Sequence, residues 1–198
     1  GSNARGALVF PAPRAYGVTA AGGTYNGGVI YSINHDGTDY RVVHNFERTQ
    51  GWQPETSLVF SDSVLYGVTL LGGNGSSGVL FRVDTTGLDY EVLHHFSYAA
   101  GSFPSGSLVD SGEELLYGVT SAGGMDNKGT VFQFNKESKE METLLDFATV
   151  SALNPRGTMV LADTILYGLA LGGVGDGILF SMKTDGTDFT KLVDMNST

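Results

Sequence analysis

Imidazoles, carboxylates and aromatic rings recur in this chain at nearly fixed intervals. His44 and His94 hold the same place in two successive stretches, and His95 follows directly. Imidazole is a common zinc ligand, so the arrangement invites a metal reading. Leu145 and Val193 fill that place further along, and a position that accepts leucine and valine is a packed apolar one. The histidines are therefore expected between packed sheets, each satisfied by a backbone partner, and no metal site is assigned. Asp39, Asp89, Glu140 and Asp188 form an acidic column, one per stretch. Converging carboxylates would suit calcium, but each of these follows a tight turn at an outer edge, where carboxylates diverge into solvent and protect a strand edge.

A stacking chemistry is the better candidate. Arg48, Trp52, Tyr98 and Phe103 sit in, and Arg156 directly follows, corresponding loops that run from Phe46 to Pro54, Phe96 to Pro104 and Phe147 to Pro155. Trp52 is the only tryptophan, and with Phe103 one position on in the next loop it offers a platform for a sugar ring or a peptide. The competing reading is that these aromatics plug the loop base or pack between sheets. Catalytic signatures are missing: there is no Gly-x-Ser-x-Gly elbow and no His-Glu-x-x-His. The double-glycine loops lead into strands and lack a following Lys-Ser or Lys-Thr, so they are not read as phosphate cradles. Asp110 is the one carboxylate among apolar equivalents, and it stands either near a central channel or at a strand exit into Ser111-Gly112. No cofactor is expected.

What must position these groups is a unit repeated four times. Tyr16-Gly17, Tyr66-Gly67, Tyr117-Gly118 and Tyr167-Gly168 are spaced by 50, 51 and 50 residues, which marks one structural unit in tandem. Each unit parses into four short strands, a to d. Strand c alternates most cleanly, with Val79, Phe81 and Val83 on one face. Strand d is expected to place Tyr40, Val42, His44 and Phe46 on one face. Asp-Gly or Thr-Gly turns join c to d, except that Asn135 to Glu140 lacks glycine and should form a longer turn. Gly67 and its equivalents are expected where sheets come closest. No segment carries a capped helical period.

The chain is accordingly read as all-β, a β-propeller of four four-stranded antiparallel blades, with a parallel β-solenoid as the competing architecture. Residues 1–5 are set aside as a cloning scar or disordered start. Residues 6–198 form a single repeat domain with blades at about 6–54, 55–104, 105–155 and 156–198. The ring closes with four blades, forms half of an eight-bladed ring made from two copies, or belongs to a longer array, so the chain is expected as a monomer or a homodimer. With 41% hydrophobic and 16% charged residues the chain is globular. A net charge of −10 disfavours nucleic acid, and no apolar run is long enough to span a membrane. The absence of cysteine excludes disulfides and thiolate metal sites.

Taken together, Leu-Tyr-Gly-Val-Thr, then Gly-Gly, then Gly-Val-Leu-Phe, then Val-Leu-His-His-Phe resembles the gloeo/verrucomicrobial tandem repeat, the GloVer repeat, over essentially residues 6 to 195. In chain order it is also similar to Kelch blades, though the tryptophan usual late in a Kelch unit is absent. Copy four departs most, with Ala170 for threonine and Met195 at its end. The resemblance implies a repeat array in an exported or surface-anchored bacterial protein, extracellular or periplasmic, and no known reaction. The expected function is a non-enzymatic protein- or glycan-binding scaffold module. The alternative is a carbohydrate-active hydrolase or lyase with carboxylates at the channel mouth.

Overall fold

The computed structural model describes residues 1–172 and 176–195; Gly173, the second glycine of the fourth double-glycine loop, lies outside the described residues. The first sheet is β1 (Ser2–Val9), β2 (Arg14–Ala21), β3 (Val29–Asn34) and β4 (Arg41–Asn45). The second is β5 (Val59–Ser61), β6 (Val64–Thr69), β7 (Val79–Asp84) and β8 (Glu91–His95). The third comprises β9 (Ser102–Pro104), β10 (Val109–Asp110), β11 (Leu115–Ala122), β12 (Thr130–Asn135) and β13 (Met141–Asp146). The fourth is β14 (Ala152–Ala162), β15 (Ile165–Gly172), β16 (Gly177–Lys183) and β17 (Thr190–Asp194). Each sheet is an antiparallel meander in chain order, with β9 an extra partner of β11. A 3-10 turn at Phe147–Thr149 is the one helical element among the described residues. The chain forms two compact units, Gly1–Phe96 with the first two sheets and Ser97–Thr198 with the last two.

The repeated Tyr-Gly explains the inner pair of strands. Gly67 lies opposite Phe81 in the ladder, and a methyl group on Gly67 would come within 2.6 Å of the Phe81 ring and 3.0 Å of Leu58. The glycine therefore makes room for an aromatic on its own sheet, and the expected sheet-to-sheet approach is not its reason. The threonine two residues on ties the ends of the two strands together. Thr69 Oγ1 accepts from Val79 N at 3.2 Å and donates to Leu71 O at 2.8 Å, and Thr19 and Thr120 do the same in their own sheets. Ala170 has no hydroxyl for this role.

Strand d departs from strict alternation. Ile30 pairs with His44 but Tyr31 pairs with Val42, so Val43 is an extra residue. The same irregularity recurs at β7–β8, β12–β13 and β16–β17. A bulge of this kind turns the strand and resets its faces. His44 consequently shares a face with Ile30 and Val42 shares one with Tyr31, where the sequence expectation put both on one face.

This reset builds the packing inside each unit. In the first unit Phe46 meets Phe81 and Tyr90 edge-on at 5.2 and 6.0 Å, while Phe81 and Tyr90 stack at 5.5 Å. In the second, Phe147 meets Phe180 and Phe189 at 5.6 and 6.2 Å, with Phe180 and Phe189 stacked at 5.4 Å. Aromatic contacts of this geometry are worth about 0.5–1.5 kcal/mol each beyond burial. The Tyr16 hydroxyl donates to Thr85 O at 3.2 Å, and Tyr117 hydrogen-bonds the Thr184 side chain at the corresponding turn. The glycine-free turn is longer, as expected: Asn135 N reaches Glu140 O, whereas Asn34 N reaches Thr38 O.

Candidate functional site

The first strand of each sheet reaches further than its sequence signal. Of residues 1–5, left outside the fold by the sequence, Ser2 to Arg5 begin β1, with Ser2 opposite Ala21 and Arg5 opposite Val18. Trp52 holds the same place against Leu71, Ser102 against Ala122 and Leu153 against Leu171. The following residues, Asn3, Gln53, Phe103 and Asn154, all adopt left-handed φ between 51° and 62°. The second half of each loop between strands d and a is thus pinned to the end of strand b, and its side chains are fixed by a backbone turn.

On this frame the sequence candidates form two pairs in different units. In the first unit the Arg48 guanidinium lies 4.8 Å from the centre of the Trp52 ring. The indole rests against Gly27 in the b–c loop, where a methyl group would meet it at 2.7 Å. Trp52 N and O exchange hydrogen bonds with Leu71 at 2.8 and 3.0 Å, and Arg48 O accepts from Gly73 N at 2.8 Å. The Tyr90 hydroxyl donates to Gln50 O at 2.6 Å and tethers the loop from strand d. In the second unit Tyr98 and Phe103 meet edge-on at 5.5 Å, Tyr98 is 56% exposed, and Phe103 O accepts from Ser121 Oγ. Arg156 joins neither pair. Its Nε donates to Asn154 Oδ1 at 3.0 Å, and it borders a cavity of about 380 Å³ with Leu169, Leu171 and Met195.

His44 is placed between sheets, but not as expected. His44 stacks flat on Tyr90 at 3.8 Å with planes 4° apart, and its buried Nε2 has no hydrogen-bond partner. Burial pulls its pKa down to about 4, against a smaller opposing effect of Glu47. His94 is lowered too, by burial and then by His95. The expected backbone partner belongs instead to His95, whose Nδ1 accepts from Asn74 N at 3.3 Å. Asn45 and Asp146 accept from Thr24 N and Met125 N in the same way, so this position braces the double-glycine loop. Among the described residues no group of three or more His, Cys, Asp or Glu side chains is arranged to hold a metal.

Three members of the acidic column are paired within their own sheets. Asp39 meets Arg14 at 2.8 Å and Arg41 at 2.6 Å, Asp89 meets Arg82 at 3.3 Å, and Asp188 meets Lys183 at 2.7 Å. Hydrogen bonds from Arg41 and then Arg14 hold the Asp39 carboxyl below its ordinary range. Asp110 accepts from Gly112 N at 3.1 Å and meets Lys136 at 3.4 Å, which places it at the strand exit. Glu140 and Glu142 line a cavity of about 450 Å³ with Gln133 and Asn135; both are exposed.

Sequence reasoning missed Tyr90, Gln50 and Gly27, which position the Arg48–Trp52 pair. Tyr90 carried a usable signal, because an aromatic recurs there as Tyr40 and Phe189.

Several solved structures share this fold. TolB from Acinetobacter baumannii matches 94% of this chain at 15% identity with a TM-score of 0.64, over 42% of its own length. An oligogalacturonate lyase in complex with manganese matches 92% at 14% identity with a TM-score of 0.61, over 50% of its length. The extracellular domain of a one-component system from B. thetaiotaomicron matches 98% at 14% identity with a TM-score of 0.56, over 22% of its length. The chain spans half or less of each of these structures, and the likeness establishes a β-propeller fold. No curated protein matches the chain in sequence. The model of the Gloeobacter/Verrucomicrobia repeat matches residues 3–198, and the chain belongs to that repeat family.

Proposed function

We propose that the chain is a non-enzymatic binding module of an exported bacterial protein, presenting its d–a and b–c loops to a protein or a glycan. The observation that carries this reading is the Arg48–Trp52 pair seated on Gly27, because it joins a d–a loop to a b–c loop around a half-buried indole. An exposed cation–π contact is worth about 0.5–1 kcal/mol, so a sugar face or peptide can displace or sandwich Arg48 at small cost. An exported location is supported by the family resemblance and by the extracellular-domain and TolB neighbours. No helix among the described residues is long and apolar enough to cross a membrane.

A glycan-array screen of the chain beside its Trp52→Ala variant tests the reading. Binding that falls at least tenfold in the variant supports it, and binding that is unchanged removes the aromatic platform. A second reading, a carbohydrate-active hydrolase or lyase, draws on Glu140 and Glu142 sharing one cavity, since paired carboxylates about 5–10 Å apart are the working groups of glycosidases. Polysaccharide turnover abolished by Glu142→Gln would favour it over the binding module.

A further inference from the structure

The contacts between neighbouring sheets inside each unit follow one pattern, and the front of the fourth sheet and the back of the first carry exposed copies of its two halves. In the first unit the front of the first sheet offers Tyr16, Val43 and Phe46. The back of the second receives them: Tyr16 donates to Thr85 O, a methyl group on Gly87 would run into Val43 O, and Phe46 sits on the stacked Phe81 and Tyr90. In the second unit Leu144 and Phe147 meet Gly186 and the stacked Phe180 and Phe189 in the same manner, and Tyr117 reaches the corresponding turn through the Thr184 side chain.

At the front of the fourth sheet the equivalents are Tyr167, Leu192 and Met195. They are 36%, 45% and 51% exposed, where Tyr16 and Tyr117 are 4% and 3% exposed and Phe46 and Phe147 are fully buried. Leu169 on the same face is 50% exposed, against 1% for Val18 and 2% for Val119. A socket lies open there as well. Pro54 covers Gly28, and Pro155 covers Gly129, whereas the described atoms nearest a methyl group on the equivalent Gly177 belong to Met195, which borders the 380 Å³ cavity. At the back of the first sheet the receiving half is complete and open. Tyr31 stacks on Tyr40 at 5.6 Å as Phe81 does on Tyr90, Tyr40 and Val42 are 52% and 45% exposed, and Gly37 has nothing within 4 Å of a methyl group built on it.

We propose that the front of the fourth sheet docks on the back of the first sheet of a second copy of this chain, head to tail. Met195 takes the place of Phe46 and Phe147 on the Tyr31–Tyr40 stack, where a thioether packs well against aromatic rings. Tyr167 donates to the backbone carbonyl of His35, the residue in the place of Thr85 and Thr184. Leu192 lies over Gly37, and Ala4, in the place of Pro54, enters the socket beside Gly177. The contact is heterologous, using two different patches, so each copy keeps one of each after a single pairing.

The test uses the face-specific variants Leu169→Glu, at the front, and Val42→Glu, at the back. In sedimentation across a concentration series the unmodified chain is expected at a multiple of 20.9 kDa, and each variant alone at the single-chain mass. An equimolar mixture of the two is expected to recover a species of twice that mass, because one variant keeps an intact front and the other an intact back. This recovery also shows that both variants are folded. A single-chain mass for the unmodified protein at every concentration overturns the proposal. So does association that survives either variant, or variants that fail to pair when mixed.

Discussion

His44 is the side chain whose surroundings most oppose its chemistry. Its Nε2 is buried without a partner, a defect that costs about 1–3 kcal/mol, while its stack on Tyr90 returns about 0.5–1.5 kcal/mol. Because Leu145 fills the same place in copy three, His44→Leu is expected to change stability by no more than about 1 kcal/mol at neutral pH. Acid separates the two proteins. The folded pKa of about 4 lies below the ordinary value of 6.5, so the unfolded chain binds more protons between those values. Stability from this group is full above 6.5 and is lost as pH falls toward 4. Urea unfolding at successive pH values should show the natural protein weakening relative to His44→Leu across that window; parallel curves would contradict the assignment. At Thr69 the hydroxyl serves two backbone groups, and Thr69→Val should cost about 1–3 kcal/mol in the same assay. The threonine was visible in the sequence as part of the repeated motif. Its role was not, because the partners Leu71 and Val79 offer only backbone groups.

Between strands the decisive feature is the bulge in strand d, which lets the c–d turn of one sheet press on the strand d before it. Gly37 and Gly87 isolate that contact. Both have left-handed φ, 83° and 85°, so alanine at either pays the left-handed penalty of about 1–2 kcal/mol. Only at Gly87 does a methyl group also meet the Val43 carbonyl. Gly87→Ala is therefore expected to exceed Gly37→Ala by about 1–3 kcal/mol of overpacking, and equal costs would remove the close approach. Gly67→Ala, crowding the Phe81 ring, should cost about 1–3 kcal/mol. Strand c was legible in its alternation, and the Asn135 to Glu140 turn in its missing glycine. The bulge was not, because an extra residue such as Val43 or Leu144 has the same apolar character as its neighbours. The left-handed step at the start of strand a was hidden too, since Asn3, Gln53, Phe103 and Asn154 share no side-chain chemistry.

Across the chain, acidity and repetition set what can be recognised. With 21 acidic against 11 basic residues, and with Arg14, Arg41, Arg82 and Lys183 already engaged by carboxylates, little cationic surface is left for phosphates. No shift of duplex DNA is expected in a gel assay even at about 50 mM salt, where electrostatic binding is strong. The amino-acid sequence by itself determined the repeat, the all-β class and the four small sheets, because a spacing of 50, 51 and 50 residues and a period of two are written along one chain. Only the tertiary structure decided which faces meet, that Trp52 carries Arg48 while Phe103 carries Tyr98, and that Met195 and Tyr40 lie open. Those facts depend on residues distant in sequence, and packing selects among partners that local pattern leaves equivalent.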